Sequence, residues 1–421
     1  MNILIKSATV VDSKSQFHNQ QVDILIENGI ITKISKRIQN PSDYREVRLD
    51  NLHVSQGWID SSVCFGEPGL EERETISNGL KTAALSGFTS VILNPNTSPT
   101  LDSQADIAMV KSKANGHATA LVPLGSLTKN ADGVDLAELY DMNNAGAVGF
   151  YDYKSPISNP NLLKIALLYA QSFEGLIYSF PQESKITGLG IVNEHINSTK
   201  LGLKGNPNLA EDLQIARDLF ILEYTGGKLH IPTISTENAV ALIREAKSKK
   251  LDVSCSVALH NLALTDDVLE DFDTNYKVLP PLRTSNDSAA LIEGLKDGTI
   301  DMVTTDHNPI DIEHKKVEFD HAEYGTIGLE SAFGVLQNYF TTKKSIQLLT
   351  QGKSRFNIAE THISEGEAAN ITLFNPDIKY TFGLDHVRSK SKNSAFLDRS
   401  VKGWVYGIIA NNKIELKDDK P

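Results

Sequence analysis

Between residues 58 and 306 the chain alternates short apolar runs with longer amphipathic stretches, and this repeat constrains its fold more than any other feature. The runs are Trp58–Cys64, Thr89–Asn94, Ala118–Leu124, Ala147–Tyr151, Leu176–Ser179, Lys228–Thr233, Asp252–Ala258 and Ile300–Asp306. Such alternation is the βα signature of a parallel sheet. Between the runs, Ile76, Leu80, Ala83 and Ala84 share a helical face before Gly87. Leu213, Ala216, Leu219, Phe220 and Leu222 read as a similar stripe before Gly226 and Gly227. Eight βα units in succession predict an α/β chain folded as a (β/α)8 TIM-type barrel, with function at the strand C-terminal ends. An open α/β sheet of similar length is the competing architecture.

The two ends of the chain have a different texture. Asn2 to Val11, Val22 to Ile26 and Ile30 to Ile34 are apolar and β-branched, with a hairpin signal at Glu27-Asn28-Gly29. Ala369–Phe374 and Gly403–Ile409 repeat that texture. Residues 1–54 and 366–421 are therefore expected to form one small β domain from both termini, flanking a barrel over 55–365.

A net charge of −12 argues against nucleic acid or an anionic membrane as partner, and no apolar run approaches a membrane span. The N-terminus lacks the unbroken apolar core of a signal peptide, so a cytoplasmic protein is expected. Cys64 and Cys255, the only cysteines, have no metal-pair spacing and imply no disulfide framework.

The stretch Gln56-Gly-Trp-Ile-Asp-Ser-Ser-Val-Cys-Phe-Gly-Glu-Pro-Gly69 places Asp60, Ser62 and Cys64 on one strand face. Further along come Asn94-Pro-Asn-Thr-Ser-Pro99, Ala147-Val-Gly-Phe150, Pro280-Pro-Leu-Arg283, Leu291-Ile-Glu-Gly-Leu-Lys-Asp-Gly-Thr-Ile-Asp301, Thr304-Thr-Asp-His-Asn-Pro309, Gly325-Thr-Ile-Gly-Leu-Glu330 and Ser389-Lys-Ser-Lys-Asn-Ser394. In this order and spacing the chain resembles the dihydroorotases, a branch of the amidohydrolase superfamily, and in particular its catalytically degenerate members. Several long motifs in register make the likeness specific.

The resemblance implies a binuclear zinc site of four histidines, a bridging carboxylate or carboxylated lysine, and an aspartate, which activates a water and polarises an amide. Ser62, Cys64, Ser179 and Thr233 stand at the four histidine positions. His230 lies three residues before Thr233, on the opposite strand face. Either Asp152 or Tyr153 holds the bridging position, and Asp306, the family's ligand and proton shuttle, remains. Of the substrate contacts only Asn96 survives, with Gly66, Leu279 and Ile310 at the other places. No zinc or other cofactor is therefore expected. His260 and His307 read as packed structural histidines, and His18, His53, His117, His195, His314, His321, His362 and His386 as solvated ones. Cys64 reads as a small residue filling a vacated pocket.

Function divides three ways, because a fold alone does not set it. The first reading, implied by the resemblance, is an inactive dihydroorotase-like protein of pyrimidine biosynthesis that supports aspartate transcarbamoylase and forms a homo-oligomer. The second is an active dihydroorotase with a rewired metal site. The third is a small-molecule binding module using the vacated pocket.

Overall fold

A computed structural model describes residues 1–41 and 43–418. Strands from both chain ends share one sheet. Its order is Lys413–Leu416, Arg399–Ala410, Ile371–Phe382, His53–Gln56, Asn2–Val10, Gln21–Glu27 and Ile30–Ser35, with Arg45–Val47 also paired to Asn2–Val10. The hairpin at Glu27-Asn28-Gly29 forms as expected. Asn28 and Gly29 both take positive φ (53° and 79°), the backbone that matches the twist of two antiparallel strands. One face of the sheet buries Ile3, Ile5, Val22, Ile24, Val54, Ile371 and Leu373 in a core of its own.

The middle of the chain is α/β with parallel strands, each turned back by a helix. Trp58–Val63, Phe88–Leu93 and Ala120–Pro123 form one ladder, and Leu176–Tyr178, Lys228–Ile231, Val253–Ala258 and Met302–Thr304 form another. The ladder is not a continuous eight-stranded ring. The expected strand Ala147–Tyr151 is reduced to Phe150, which bridges Gly125 on one side and Ile177 on the other. A single bridge from Val63 to His307 joins the first strand to the segment after the last.

The helix Ile76–Leu85 buries Ile76, Leu80, Ala83 and Ala84, as its spacing predicts, and Thr75 caps its N-terminus. The helix Asn208–Thr225 corrects the sequence reading. Its buried face carries Ile215, Leu219 and Leu222, whereas Leu213 and Phe220 are exposed. Trp58 is the hinge of the packing. Its ring meets Phe88 of the next strand, Phe333, and Phe374 of the sheet, at centroid distances of 6.1, 4.9 and 5.8 Å. None of the helices among the described residues is long and apolar enough to cross a membrane.

Candidate functional site

The first strand, Trp58–Val63, is buried throughout, and Asp60 ties it to the last. One oxygen of its carboxylate accepts from the Ser62 amide (3.0 Å) and the Thr304 hydroxyl (2.5 Å). The other accepts from the Thr305 amide (3.1 Å). Burial outweighs these bonds and pushes the Asp60 carboxyl up to about 6.

Two residues further, Ser62 Oγ donates to Asp306 Oδ1 (3.0 Å) and accepts from Asn94 Nδ2 (2.9 Å). The same amide nitrogen lies 3.5 Å from Cys64 Sγ. On the other side of Asp306, Lys154 Nζ donates to Oδ2 at 2.7 Å, with Tyr153 Oη 3.4 Å from Oδ1. The Lys154 and Asp306 side chains are only 9% and 2% exposed, so this is a buried ion pair. Both residues hold positive φ (53° and 48°), a sparsely populated backbone for non-glycine residues that directs their side chains toward each other. Burial pushes the Cys64 thiol up to about 11, with the Asp306 charge adding to it. At neutral pH it is a protonated thiol, a weak ligand and a weak nucleophile.

The structure thus gathers Ser62, Cys64 and Asp306, but not the other positions. Ser179 Oγ is engaged by Asp218 (2.6 Å), itself paired with Arg217. Thr233 also has positive φ (48°), and its buried hydroxyl oxygen has no hydrogen-bond partner among the described residues. Asp152 turns away from the cluster. Its carboxylate accepts from Ser126 Oγ, the Leu127 and Thr128 amides and Thr128 Oγ1 at 2.6–2.9 Å, bracing that loop. Of the two bridging candidates, only Tyr153 reaches Asp306.

Gly66 has φ +56°, and a Cβ there would meet the Leu70 carbonyl oxygen at 2.4 Å, so the backbone excludes an arginine as well as lacking one. Asn96 is half-buried, and its side-chain oxygen has no partner among the described residues. Leu279 packs on the apolar cluster around Tyr151 and Tyr178. Ile310 lines a cavity of about 660 Å³ that also touches Lys315 and Lys390.

Three of the histidines are buried. His230 faces Ser254 and Ser256 under the Tyr178 ring, and burial holds its pKa far below normal. His307 accepts the Gly328 amide and braces the turn after the last strand, as expected of a structural histidine. His260 differs, because neither ring nitrogen has a partner among the described residues. Burial, with the Lys154 charge, lowers its pKa to about 3. Its imidazole is neutral at any physiological pH.

Zinc needs several convergent donors. Three hydroxyls, one on Asp306, one on Asp218 and one with no partner among the described residues, a protonated thiol and an aspartate already paired with an ammonium do not fit it. Among the described residues no group of three or more His, Cys, Asp or Glu side chains is placed to hold a metal ion. Sequence reasoning missed Lys154, although it follows the Tyr153 it singled out. No signal in the sequence marked it, because its partner Asp306 lies 152 positions away.

The fold is that of hydantoinase-type amidohydrolases. It superposes on an L-hydantoinase (dihydropyrimidinase) from Arthrobacter aurescens with a TM-score of 0.86, covering 100% of this chain and 97% of that one at 21% identity. A dihydropyrimidinase from Brevibacillus agri NCHU1002 gives 0.83 at 21% identity, covering 99% and 95%. Sequence narrows the assignment. Residues 53–239 match the dihydro-orotase-like family. The chain is 37% identical to a dihydroorotase of Thermoanaerobacter sp. (strain X514), over 100% of this chain and 98% of that one. It is also 37% identical to a dihydroorotase of Geobacter metallireducens, over 99% and 100%. The chain belongs to the dihydroorotase family.

Proposed function

We propose that this chain is a catalytically inert, zinc-free member of its family, acting in cytoplasmic pyrimidine biosynthesis as an assembly or regulatory partner of aspartate transcarbamoylase. The Lys154 ammonium on Asp306 carries the reading. The family reaction needs an electrophilic metal and a free carboxylate to move protons. Here a side-chain cation occupies that carboxylate, and it offers no open coordination position. Gly66, Leu279 and Ile310 give a substrate carboxylate no charged partner. Preservation of the family's largely buried motifs along the chain, around a stripped site, fits a retained fold rather than retained chemistry.

The purified protein is expected to hold no stoichiometric zinc and to show no zinc-dependent cyclisation of carbamoyl-aspartate. Two metals per chain after mild chelation, or a zinc-dependent rate lost in Asp306→Ala, would overturn the inert reading. The partner is tested by co-expression with the organism's own transcarbamoylase and size-exclusion chromatography with light scattering. A joint peak supports the assembly role, and independent elution with unchanged transcarbamoylase activity removes it. The active alternative draws support from the dihydroorotase names of relatives that match the full chain. The same turnover assay decides it.

A further inference from the structure

The helix Ile76–Leu85 packs against the end strand Lys413–Leu416 of the small sheet, and a cleft of about 720 Å³ opens beside that contact. Its volume falls in the ordinary range for small-molecule sites. The walls carry four cationic side chains, Arg45, Lys81, Arg388 and Lys417, against two acids, Glu415 and Asp418. Over the whole chain the balance runs the other way, with 53 acidic residues and 41 basic ones. A local excess of positive charge on an acidic chain concentrates anions where it occurs. None of these residues belongs to the Asp306 cluster, so the cleft stands apart from it.

The fold does not use up these cations. Neither the Arg45 nor the Lys81 side chain has a hydrogen bond or ion pair among the described residues. Lys417 is held over the Trp404 ring, its Nζ 4.2 Å from the centroid. Asn78 Nδ2 donates to the Arg388 carbonyl at 3.3 Å, which ties the segment carrying Arg388 to the helix carrying Lys81. On that helix, one residue past Lys81, Thr82 also lines the cleft and is only 1% exposed. Its hydroxyl oxygen has no hydrogen-bond partner among the described residues. Buried hydroxyls are ordinarily bonded, so this one is a donor left over for a group that enters the cleft. Leu85, Ile414 and Leu416 supply an apolar wall beside the charged one.

We propose that this cleft binds a small phosphate ester, with the phosphate among Arg45, Lys81 and the Thr82 hydroxyl and the organic part on the apolar wall. A phosphate monoester brings close to two negative charges and three acceptor oxygens at neutral pH. That suits several cations and a hydroxyl better than a carboxylate does. The arginine fork takes two phosphate oxygens at once, and the lysine adds a point charge.

Titration calorimetry of the full chain with phenyl phosphate, at constant ionic strength, is expected to show saturable binding at one site per chain. Benzoate keeps the ring and exchanges phosphate for carboxylate, and is expected to bind about tenfold more weakly. Arg45→Gln with Lys81→Gln is expected to weaken phenyl phosphate about tenfold or more, with unchanged circular dichroism, because neither side chain holds a bond in the free protein. Thr82→Val keeps the shape and removes the hydroxyl. It is expected to weaken binding several-fold without lowering the melting temperature, because the hydroxyl has no partner to lose. Lys185→Gln with Lys343→Gln, at exposed lysines outside the cleft, removes the same charge and is expected to bind as the wild type does. No saturable binding, equal affinity for benzoate, binding unchanged by the Arg45 and Lys81 substitutions or by Thr82→Val, or an equal loss in the Lys185 and Lys343 control would each overturn the proposal.

Discussion

At the residue scale the molecule is organised around Asp306. Removing one partner of a buried ion pair leaves the other charge stranded, whereas removing both leaves only packing to repair. Asp306→Ala is therefore expected to lower stability by about 3–5 kcal/mol. Lys154→Met combined with Asp306→Leu should lower it by clearly less, and urea denaturation of the single and double variants reads the difference. A double variant no more stable than Asp306→Ala would show that the pair is not the stabilising unit. Asp60 carries a pH prediction. Its folded pKa of about 6 lies above the ordinary carboxyl value, so its contribution to stability is present at low pH and is lost as pH rises toward and through 6. Asp60→Asn does not titrate, so the stability of the wild type relative to this variant should shrink by roughly 2–3 kcal/mol between about pH 4 and 7. A difference constant with pH would refute this. The meeting of Ser62, Cys64 and Asp306 was legible in the sequence, because each sits in a motif with a fixed place. The cation beside them was not. Lys154 and Asp306 are 152 positions apart and meet only in the fold, each at a left-handed residue.

Elements show where periodicity suffices and where it fails. Seven of the eight expected middle strands form near their predicted places, since short buried runs between helices have few alternatives. Ala147–Tyr151 does not persist as a strand. Phe150 bonds to neighbours on both sides, but two residues on the Asp152 carboxylate is drawn to the 126–128 loop and the chain leaves the sheet. Short pieces such as Arg45–Val47 and Lys413–Leu416 escaped detection, because three or four residues hold too little pattern. The helix Asn208–Thr225 misled for the opposite reason. It is apolar on two faces, and only packing tells which one is buried. The turn at Gly66 supports a prediction at this scale. Gly66→Arg should fail to restore a substrate contact and should destabilise by about 1–3 kcal/mol, because the residue is held at φ +56° against the Leu70 carbonyl. Thermal denaturation checks it, and an unchanged melting temperature would show that the turn can relax.

Across the whole molecule, the sheet from both chain ends and the α/β middle share the aromatic contacts of Trp58 with Phe333 and Phe374. Unfolding either part strips the other of buried rings, so calorimetry of the intact chain is expected to show one transition. Phe374→Ala is expected to lower stability by about 3–5 kcal/mol, as for a large buried aromatic. Two resolved transitions in the wild type would mean that the parts unfold separately. The general architecture was readable because it repeats, and the way the parts interlock was not, because it rests on three rings from distant segments. Lys154 finally bears on whether a metal site could be built in this chain. A histidine placed at position 62 or 64 would arrive beside a resident ammonium that repels both a protonated imidazole and an incoming metal ion. Losing the lysine first would leave the buried Asp306 carboxylate with two hydroxyls and no cation. On the inert reading each opening move is penalised before any catalyst exists, so no single substitution in this chain, 37% identical to a protein named dihydroorotase, is expected to create a metal site.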